Sequence, residues 1–139
     1  NTCRERCNDY EFDERKYIDL VYKNTIPNLE IIELLKEMSI KSIIGVVSNS
    51  PKEWYENFLE LCQMKDFVTV SAISGYEHVR KPSKELFQIA LHKANVSAEE
   101  SIYIDYRPDR IEGATDLGIE VYVFDGDIIG LKNKFNEAI

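Results

Sequence analysis

Hydroxyl and amide side chains follow a β-branched run in the first half of the sequence, where they could bind an anion. Ser48, Asn49 and Ser50 come directly after the run Ser42–Val47 and directly before a predicted helix. The backbone N–H groups and the dipole at a helix N-terminus attract phosphate. Serine and asparagine are also common helix N-caps. These residues therefore predict either a phosphate-binding corner or an ordinary helix start.

A basic residue and two acidic residues could complete a site of this kind. Lys81 precedes Pro82 in the loop before another predicted helix, where its ammonium group either neutralises an oxyanion or stays solvated. Asp105 and Asp109 follow a second hydrophobic run. Carboxylates suit a hard cation such as Mg²⁺, whereas Asp109 can also interact with the positive end of its own helix.

The predicted elements bring these segments to one edge of a sheet. Strands are predicted at 42–47, 68–72, 101–105 and 120–124, with a loop at 74–82. Strands that alternate with helices favour an α/β fold, a mostly parallel sheet with helices on both faces. The first strand has no polar alternation, which predicts burial on both faces. Ligands bind such sheets at the carboxyl ends of the strands, so we expect Ser48, Lys81 and Asp105 to converge there.

Two further helices precede this sheet. Asp13 and Asn28 are their predicted N-caps. We place a boundary near residue 39, so that residues 1–38 form a helical piece and residues 39–139 form the α/β core. Within the core, one helix is predicted over residues 108–117, because proline lies near its start and glycine just past its end.

Composition excludes several functional classes. The 139 residues suit one domain, and 44% hydrophobic with 30% charged residues is typical of globular proteins. A net charge of −8 and a pI near 4.8 argue against nucleic-acid or anionic-membrane partners, and no apolar run approaches the ~20 residues of a membrane span. Cys3, Cys7 and Cys62 lack zinc-site spacing, and the polar N-terminus is not a signal peptide. We therefore predict a cytoplasmic protein with reduced thiols.

In this order and spacing, the three polar segments resemble the second, third and fourth motifs of the haloacid dehalogenase-like (HAD) hydrolase superfamily. The matching segments are 43–49, 80–87 and 103–119, and the resemblance extends over residues 26–125. The sequence is most similar to the phosphatases with a small helical cap, including the subgroup similar to the phosphatase domain of soluble epoxide hydrolase. By this resemblance, residues 1–38 correspond to the end of the cap and its return into the core.

The resemblance implies a Rossmann-like sheet and a phosphatase that acts on a small phosphorylated metabolite or binds inorganic phosphate. In that family an aspartate at the end of the first strand attacks phosphorus, and Mg²⁺ neutralises charge between carboxylates and phosphoryl oxygens. Ser48 and Asn49 would then bind the phosphoryl group, while Lys81 would neutralise it and position the nucleophile. Asp105 would be the acidic residue left for the metal.

Two motifs depart from the family pattern. The first motif, a strand ending in Asp-x-Asp-Gly-Thr, is absent from the 139 residues, and the superficially similar Asp-Gly-Asp at 125–127 follows the last predicted strand. In the fourth motif, the metal-binding aspartate falls on Tyr106 and the second acidic or amide residue falls on Arg110. Asp105 and Asp109 each lie one position earlier. We therefore expect this chain to lack phosphatase activity.

Three interpretations stay open on the sequence. The chain starts with Asn1 rather than methionine, so one expectation is a phosphatase whose first motif was lost by truncation or processing. A second is a catalytically inactive HAD-like protein that binds a metabolite or a partner. A third is an α/β domain with fortuitous motif matches. A homodimer, or a second chain that supplies the missing strand, is compatible with the first two.

The missing first strand also predicts something about the sheet. In the family this strand lies between the strands expected here at 42–47 and 101–105. We expect those two strands to be parallel, with either a gap or a direct pairing between them. Two strands in different sheets would argue against the resemblance.

Overall fold

The computed structural model describes residues 13–138 of the chain. Its helices are α1 (Glu14–Asn24), α2 (Leu29–Met38), α3 (Lys52–Leu61), α4 (Ser74–Glu77), α5 (Lys84–Ala94), α6 (Glu112–Asp116) and α7 (Ile128–Ala138). Its strands are β1 (Ile44–Ser48), β2 (Val68–Ile73), β3 (Ile102–Asp105) and β4 (Glu120–Val123). Each strand lies within two residues of its predicted position at either end, which confirms the predicted α/β class.

The first two helices begin at residues that accept hydrogen bonds from their exposed N–H groups. Asp13 Oδ1 accepts from the backbone of Arg15 and Lys16 at 3.1 and 3.2 Å. Asn28 Oδ1 accepts from the backbone of Ile31 at 3.2 Å. Both predicted N-caps are confirmed, because each side chain satisfies donors that a helix cannot pair internally.

Two local predictions were wrong. The segment predicted as a loop contains the short helix α4, which ends at His78 with a left-handed φ of 59°. The segment predicted as one helix over 108–117 is a 3₁₀ turn at Pro108–Arg110 followed by α6. The break falls at Ile111, whose φ of −98° and ψ of −14° lie outside the regular α-helical range. Helices this short leave too little periodicity in the sequence to be recognised.

The strands form two parallel pairs. β1 pairs with β2, β3 pairs with β4, and within residues 13–138 no backbone ladder connects the two pairs. The gap expected between β1 and β3 is therefore present. The stricter condition, that both strands must belong to one sheet, was wrong, because no strand of the described residues pairs with both β1 and β3.

β1 is less buried than its sequence predicts. Its residues are half-buried, and Gly45 is exposed. The prediction of burial on both faces was wrong, because among the described residues β1 has a hydrogen-bonded neighbour on one edge only. An uninterrupted β-branched run indicates a strand that a complete sheet would bury on both faces.

Helix α5 holds the two strand pairs together. Phe87 of α5 is buried with Ala114 and Ile119 in one core cluster. Partly buried side chains from both pairs pack against this cluster, among them Val47, Tyr103 and Val121. The packing brings β1 and β3 into one molecule without direct pairing, so polar residues at their carboxyl ends can reach one another.

Both N-terminal helices contact the core, and Tyr17 of α1 packs against Trp54 of α3. Ile32 and Leu35 of α2 pack against a second buried cluster formed by Cys62, Met64 and Phe67. The domain boundary near residue 39 stays a prediction.

The sequence predicted reduced cysteines and no membrane-spanning segment. Cys62 is a buried free thiol whose pKa is raised by burial, whereas Cys3 and Cys7 lie outside the described residues. Across residues 13–138, every helix is too short or too polar to cross a bilayer.

Candidate functional site

A buried ion pair joins the loop before α5 to the carboxyl end of β3. Lys81 Nζ lies 2.8 Å from Asp105 Oδ2 and donates a second hydrogen bond to Tyr103 Oη at 2.6 Å. Tyr103 Oη in turn donates to Asp105 Oδ2 at 2.6 Å. The Lys81 and Asp105 side chains are only 7% and 8% exposed. Two residues predicted for the site, Lys81 and Asp105, are therefore in direct contact.

Protonation of this triad follows from its contacts. Burial would raise the pKa of Asp105, but hydrogen bonds from Lys81, Tyr103 and the Arg107 N–H, with the Lys81 charge, lower it below its usual value. Burial, the hydrogen bond to Asp105 and the charge of Asp105 raise the pKa of Tyr103. At neutral pH the triad therefore contains a carboxylate and a protonated phenol.

The lowered pKa of Asp105 predicts a pH dependence of stability. Because the folded pKa lies below the value of about 3.9 for an unfolded aspartate, the pair stabilises the fold above that pH and loses its effect as the pH falls through the folded pKa. We expect the free energy of unfolding to fall more steeply between about pH 5 and 3 in the wild type than in Asp105→Asn. Urea unfolding at a series of pH values measures both slopes, and equal slopes would contradict the assignment.

Asn49 fixes the backbone that carries Lys81. Its side-chain amide donates to the carbonyl of Lys81 at 3.0 Å, and its Oδ1 accepts from the N–H of Lys81 at 2.7 Å. Both polar atoms of the Asn49 amide thus bind one residue, Lys81, and so connect the end of β1 to the loop before α5. Asn49 positions Lys81, and its direct contact with phosphate stays a prediction.

An open cleft lies beside this pair at the end of β1. Its volume is about 460 Å³, and its lining includes Asn49, Ser50, Ser74, His78 and Arg80. Arg80 and His78 are exposed there, whereas Lys81 is buried against Asp105. The signal for Arg80 was its position next to Lys81; nothing in the sequence pattern pointed to His78.

Pro51, the residue before α3, lines the same cleft. It is the N-cap of α3, and its side chain makes no capping hydrogen bond. Gly75 packs directly over this turn, since a Cβ there would lie 2.7 Å from the backbone nitrogen of Lys52. The predicted serine or asparagine cap is therefore not the cap of α3, and its first N–H groups lack a side-chain acceptor.

Ser48 lies on a different surface from Arg80. It is half-buried at the end of β1 and lines a mainly apolar cavity between α1, α3 and β1. Ser50 lines both this cavity and the open cleft. Ser48 therefore does not line the open cleft, although Ser50 does, and a role of Ser48 in phosphate binding stays a prediction.

The fourth-motif loop is neutralised by its own basic residues. Arg107 binds Asp109 through Nε and Nη2, at 3.0 and 2.8 Å from the two carboxylate oxygens. The Arg107 N–H also donates to Asp105 Oδ1 at 3.0 Å. Tyr106 is 73% exposed, and the Arg110 charge acts on Tyr103 and lowers its pKa against the other influences.

Gly113 lets α6 approach the loop that follows Lys81. A Cβ at this buried position would lie 2.1 Å from the carbonyl oxygen of Pro82 and 2.7 Å from the backbone nitrogen of Lys84. Both contacts are with backbone, which cannot move aside as the end of a side chain can. Gly113 lies within the segment 103–119 that matches the fourth motif, but the close contact that requires a glycine there becomes visible only in the fold.

This close approach predicts a costly substitution. We expect Gly113→Ala to lower the free energy of unfolding by about 2–3 kcal/mol, because the added methyl group overpacks a backbone contact. Asp116→Ala, at an exposed position of the same helix, should change it by less than about 0.5 kcal/mol. Urea unfolding compares both variants with the wild type. An unchanged Gly113→Ala would mean that α6 does not contact the loop this closely in solution.

The fold and the site define a class of protein. Parallel strands are flanked by helices, and polar residues gather at their carboxyl ends, as in α/β enzymes. The sequence pattern of the haloacid dehalogenase-like hydrolases matches residues 5–124. The chain therefore belongs to the haloacid dehalogenase-like hydrolase family.

Two curated relatives are phosphatases. The chain is 30% identical over 105 residues to the glyceraldehyde 3-phosphate phosphatase of Pyrococcus abyssi, which covers 74% of this chain and 43% of the relative. It is 35% identical over 95 residues to the glyceraldehyde 3-phosphate phosphatase of Pyrococcus furiosus, which covers 68% and 38%. The chain thus spans about two-fifths of the length of these relatives.

Solved structures of this class share the fold. A hydrolase from Streptococcus pneumoniae TIGR4 superposes with a TM-score of 0.67 at 19% identity, over 97% of this chain and 74% of that one. A HAD phosphatase from Thermococcus onnurineus gives 0.66 at 18% identity, over 88% and 58%. The beta-phosphoglucomutase of Clostridium difficile gives 0.64 at 20% identity, over 96% and 74%. At these identities the likeness supports the Rossmann-like fold alone.

Magnesium does not fit the residues of this site. Family hydrolases are generally magnesium-dependent, but both oxygens of Asp105 already accept hydrogen bonds and Asp109 is held by Arg107. Within residues 13–138, no three acidic, histidine or cysteine side chains are grouped closely enough to hold a metal. Hard cations require several oxygen ligands, and the nearby basic side chains compete with them.

Proposed function

We propose that this chain is the phosphate-binding α/β core of a HAD-type phosphatase and binds a small phosphorylated metabolite. Membership of the family and the phosphatase relatives support the reaction class. The relatives' substrate, glyceraldehyde 3-phosphate, suggests the kind of ligand, a small molecule with a terminal phosphate. A cytoplasmic location and a homodimer or complementing chain stay predictions from the sequence.

The open cleft carries this proposal. Arg80 lines a cavity of about 460 Å³ at the carboxyl end of β1, together with Asn49, Ser50 and Ser74. A guanidinium group forms strong charge-assisted hydrogen bonds with a phosphate, and amide and hydroxyl groups add neutral ones. Lys81 is already neutralised by Asp105, so among the described residues of the lining Arg80 supplies the positive charge, and Lys81 acts by holding the loop in place with Asn49.

The proposal includes inactivity of these 139 residues on their own. The sequence contains no Asp-x-Asp-Gly-Thr motif, and so no aspartate is available to attack phosphorus. Asp105 and Asp109 are both engaged by basic groups. A phosphate ester bound in the cleft would therefore be held without being cleaved.

A second candidate is a HAD-like protein that binds its ligand and has lost catalysis altogether. The Arg107–Asp109 pair and the positions of Tyr106 and Arg110 favour it, because these residues disfavour a cation whether or not a nucleophile is supplied. The two candidates differ in whether a chain that carries the first motif hydrolyses a phosphate ester.

Phosphate binding at the cleft can be tested directly. We expect inorganic phosphate to shift the amide NMR signals of Asn49, Ser50 and Arg80, and Arg80→Gln to weaken binding about tenfold, the effect of about 1.4 kcal/mol from one charge-assisted contact. Arg15→Gln removes the same charge from the exposed face of α1. This control should leave the affinity unchanged. Equal losses of affinity in both variants would mean that the net charge of the protein, and not a contact with Arg80, determines phosphate binding, which would contradict the proposal. Amide signals that do not move would contradict it as well.

A further inference from the structure

An apolar cavity of about 310 Å³ lies beside the open cleft, between α1, α3 and β1. Its walls include Ile18, Val21, Val46, Trp54 and Phe58. Its volume falls at the lower end of the range for small-molecule sites, and an apolar cavity of about half this size is large enough for a benzene ring. Voids of this size are few in well-packed proteins, so this one is a candidate ligand site.

A hydroxyl group in this cavity has no hydrogen-bond partner. Tyr22 lines the cavity, and its Oη is buried without a donor or acceptor in contact among residues 13–138. The other hydroxyls of the lining differ, since Tyr55 is bonded to Ser71 and Thr25 donates to the Val21 carbonyl at 2.8 Å. Buried polar groups are normally paired, but Tyr22 Oη is itself buried, so the cavity offers an occupant little hydrogen bonding from Tyr22.

The lining also determines the charge of the occupant. None of the described side chains that line the cavity carries a charge. Burial, and then the charge of Glu60, raise the pKa of Tyr22, so its hydroxyl stays neutral. A charged group inside this cavity would be desolvated without a partner. The occupant is therefore a neutral, largely apolar group.

The cavity and the cleft meet at Ser50, which lines both. We propose that one ligand occupies the two together: an aromatic or branched aliphatic phosphate monoester with its phosphate in the cleft and its apolar body in the cavity. This inference rests on the proposed function for the phosphate half alone. The proposed ligand differs from glyceraldehyde 3-phosphate, for which the relatives are named, because the part of that molecule beyond the phosphate is small and polar.

Trp54 reports on the cavity, because it lines the cavity and is the single tryptophan of the chain. The probes are phenyl phosphate, glycerol 3-phosphate, inorganic phosphate and phenol. We expect phenyl phosphate to bind at least tenfold more tightly than glycerol 3-phosphate and to change the Trp54 fluorescence, which inorganic phosphate should leave unaltered. Amide NMR shifts at Asn49 and Ser50 follow the phosphate half independently.

Cavity-filling variants supply the second arm. Val46→Phe should abolish the advantage of phenyl phosphate and leave the affinity for inorganic phosphate unchanged. Ile18→Phe fills the cavity from α1 and serves if the strand variant does not fold.

Each failure has a distinct signature. Equal affinities for phenyl phosphate and glycerol 3-phosphate, insensitive to Val46→Phe, would overturn this inference and leave the proposed function standing. Failure of every phosphate probe would overturn the proposed function as well. Binding of phenol alone would leave an apolar site unconnected with phosphate, which also overturns the inference.

Discussion

Replacing Lys81 with methionine is expected to lower the free energy of unfolding by about 3–5 kcal/mol. The variant leaves Asp105 ionised, deeply buried and deprived of its positive partner. Such a charge must either remain desolvated or take up a proton, and both alternatives cost free energy. Urea unfolding at neutral pH, followed by circular dichroism, measures the loss.

The chain offers a matched control for this variant. Lys65 and Glu60 form an ion pair at 3.2 Å, but their side chains are 55% and 73% exposed. Lys65→Met should therefore cost less than about 1 kcal/mol, because solvent screens an exposed pair. The double variant Lys81→Met with Asp105→Asn should recover much of the loss, since no charge is then left unpaired. Similar costs for Lys81→Met and Lys65→Met would mean that the Lys81–Asp105 pair is not buried in solution.

Structural features that depend on residues close together in the chain could be predicted from the sequence. Asp13 and Asn28 could be predicted as caps because a cap contacts N–H groups only a few residues away. The strands could be predicted from β-branched runs such as Ser42–Val47. The helix α4 could not, because four residues show no helical period.

The chemistry of the site depends on distant residues and was harder to predict. Lys81 and Asp105 are separated by 24 positions, yet the carboxyl ends of parallel strands made their approach an expectation. That Lys81 would be buried and neutralised, leaving Arg80 in the open cleft, depends on packing around Tyr103. Side-chain burial of this kind has no local signal in the sequence.

The gap between the strand pairs has a chemical consequence. β1 and β3 each pair on one edge within the described residues, so each presents unpaired backbone groups on its other edge. A strand placed between them would satisfy those groups. By the family resemblance, that strand would carry the nucleophilic aspartate, so we expect one element to account for both the gap and the absent first motif.

We expect this chain to show no phosphatase activity above the uncatalysed background, at least about 10⁶-fold below an active enzyme. No nucleophilic aspartate is present, and Tyr106 and Arg110 occupy the positions expected to be acidic. Tyr106 is a poor magnesium ligand because a hard cation prefers carboxylate oxygens to a phenol. The assay uses p-nitrophenyl phosphate and a panel of phosphorylated metabolites with magnesium. Turnover that survives repurification and is lost on heating would contradict the motif assignment.

The fourth motif can be tested apart from the first. If a longer chain from the same gene carries Asp-x-Asp-Gly-Thr, its activity decides between a phosphatase and a ligand-binding protein. Tyr106→Asp with Arg110→Asp, made together in that chain, is expected to raise metal-dependent turnover, because two carboxylates would replace a phenol and a repelling cation. Arg15→Asp with Leu20→Asp adds two carboxylates at exposed positions of α1 and should raise nothing. Continued inactivity of the fourth-motif variant would place the defect elsewhere, at the Asp105 carboxylate that Lys81 and Tyr103 already occupy.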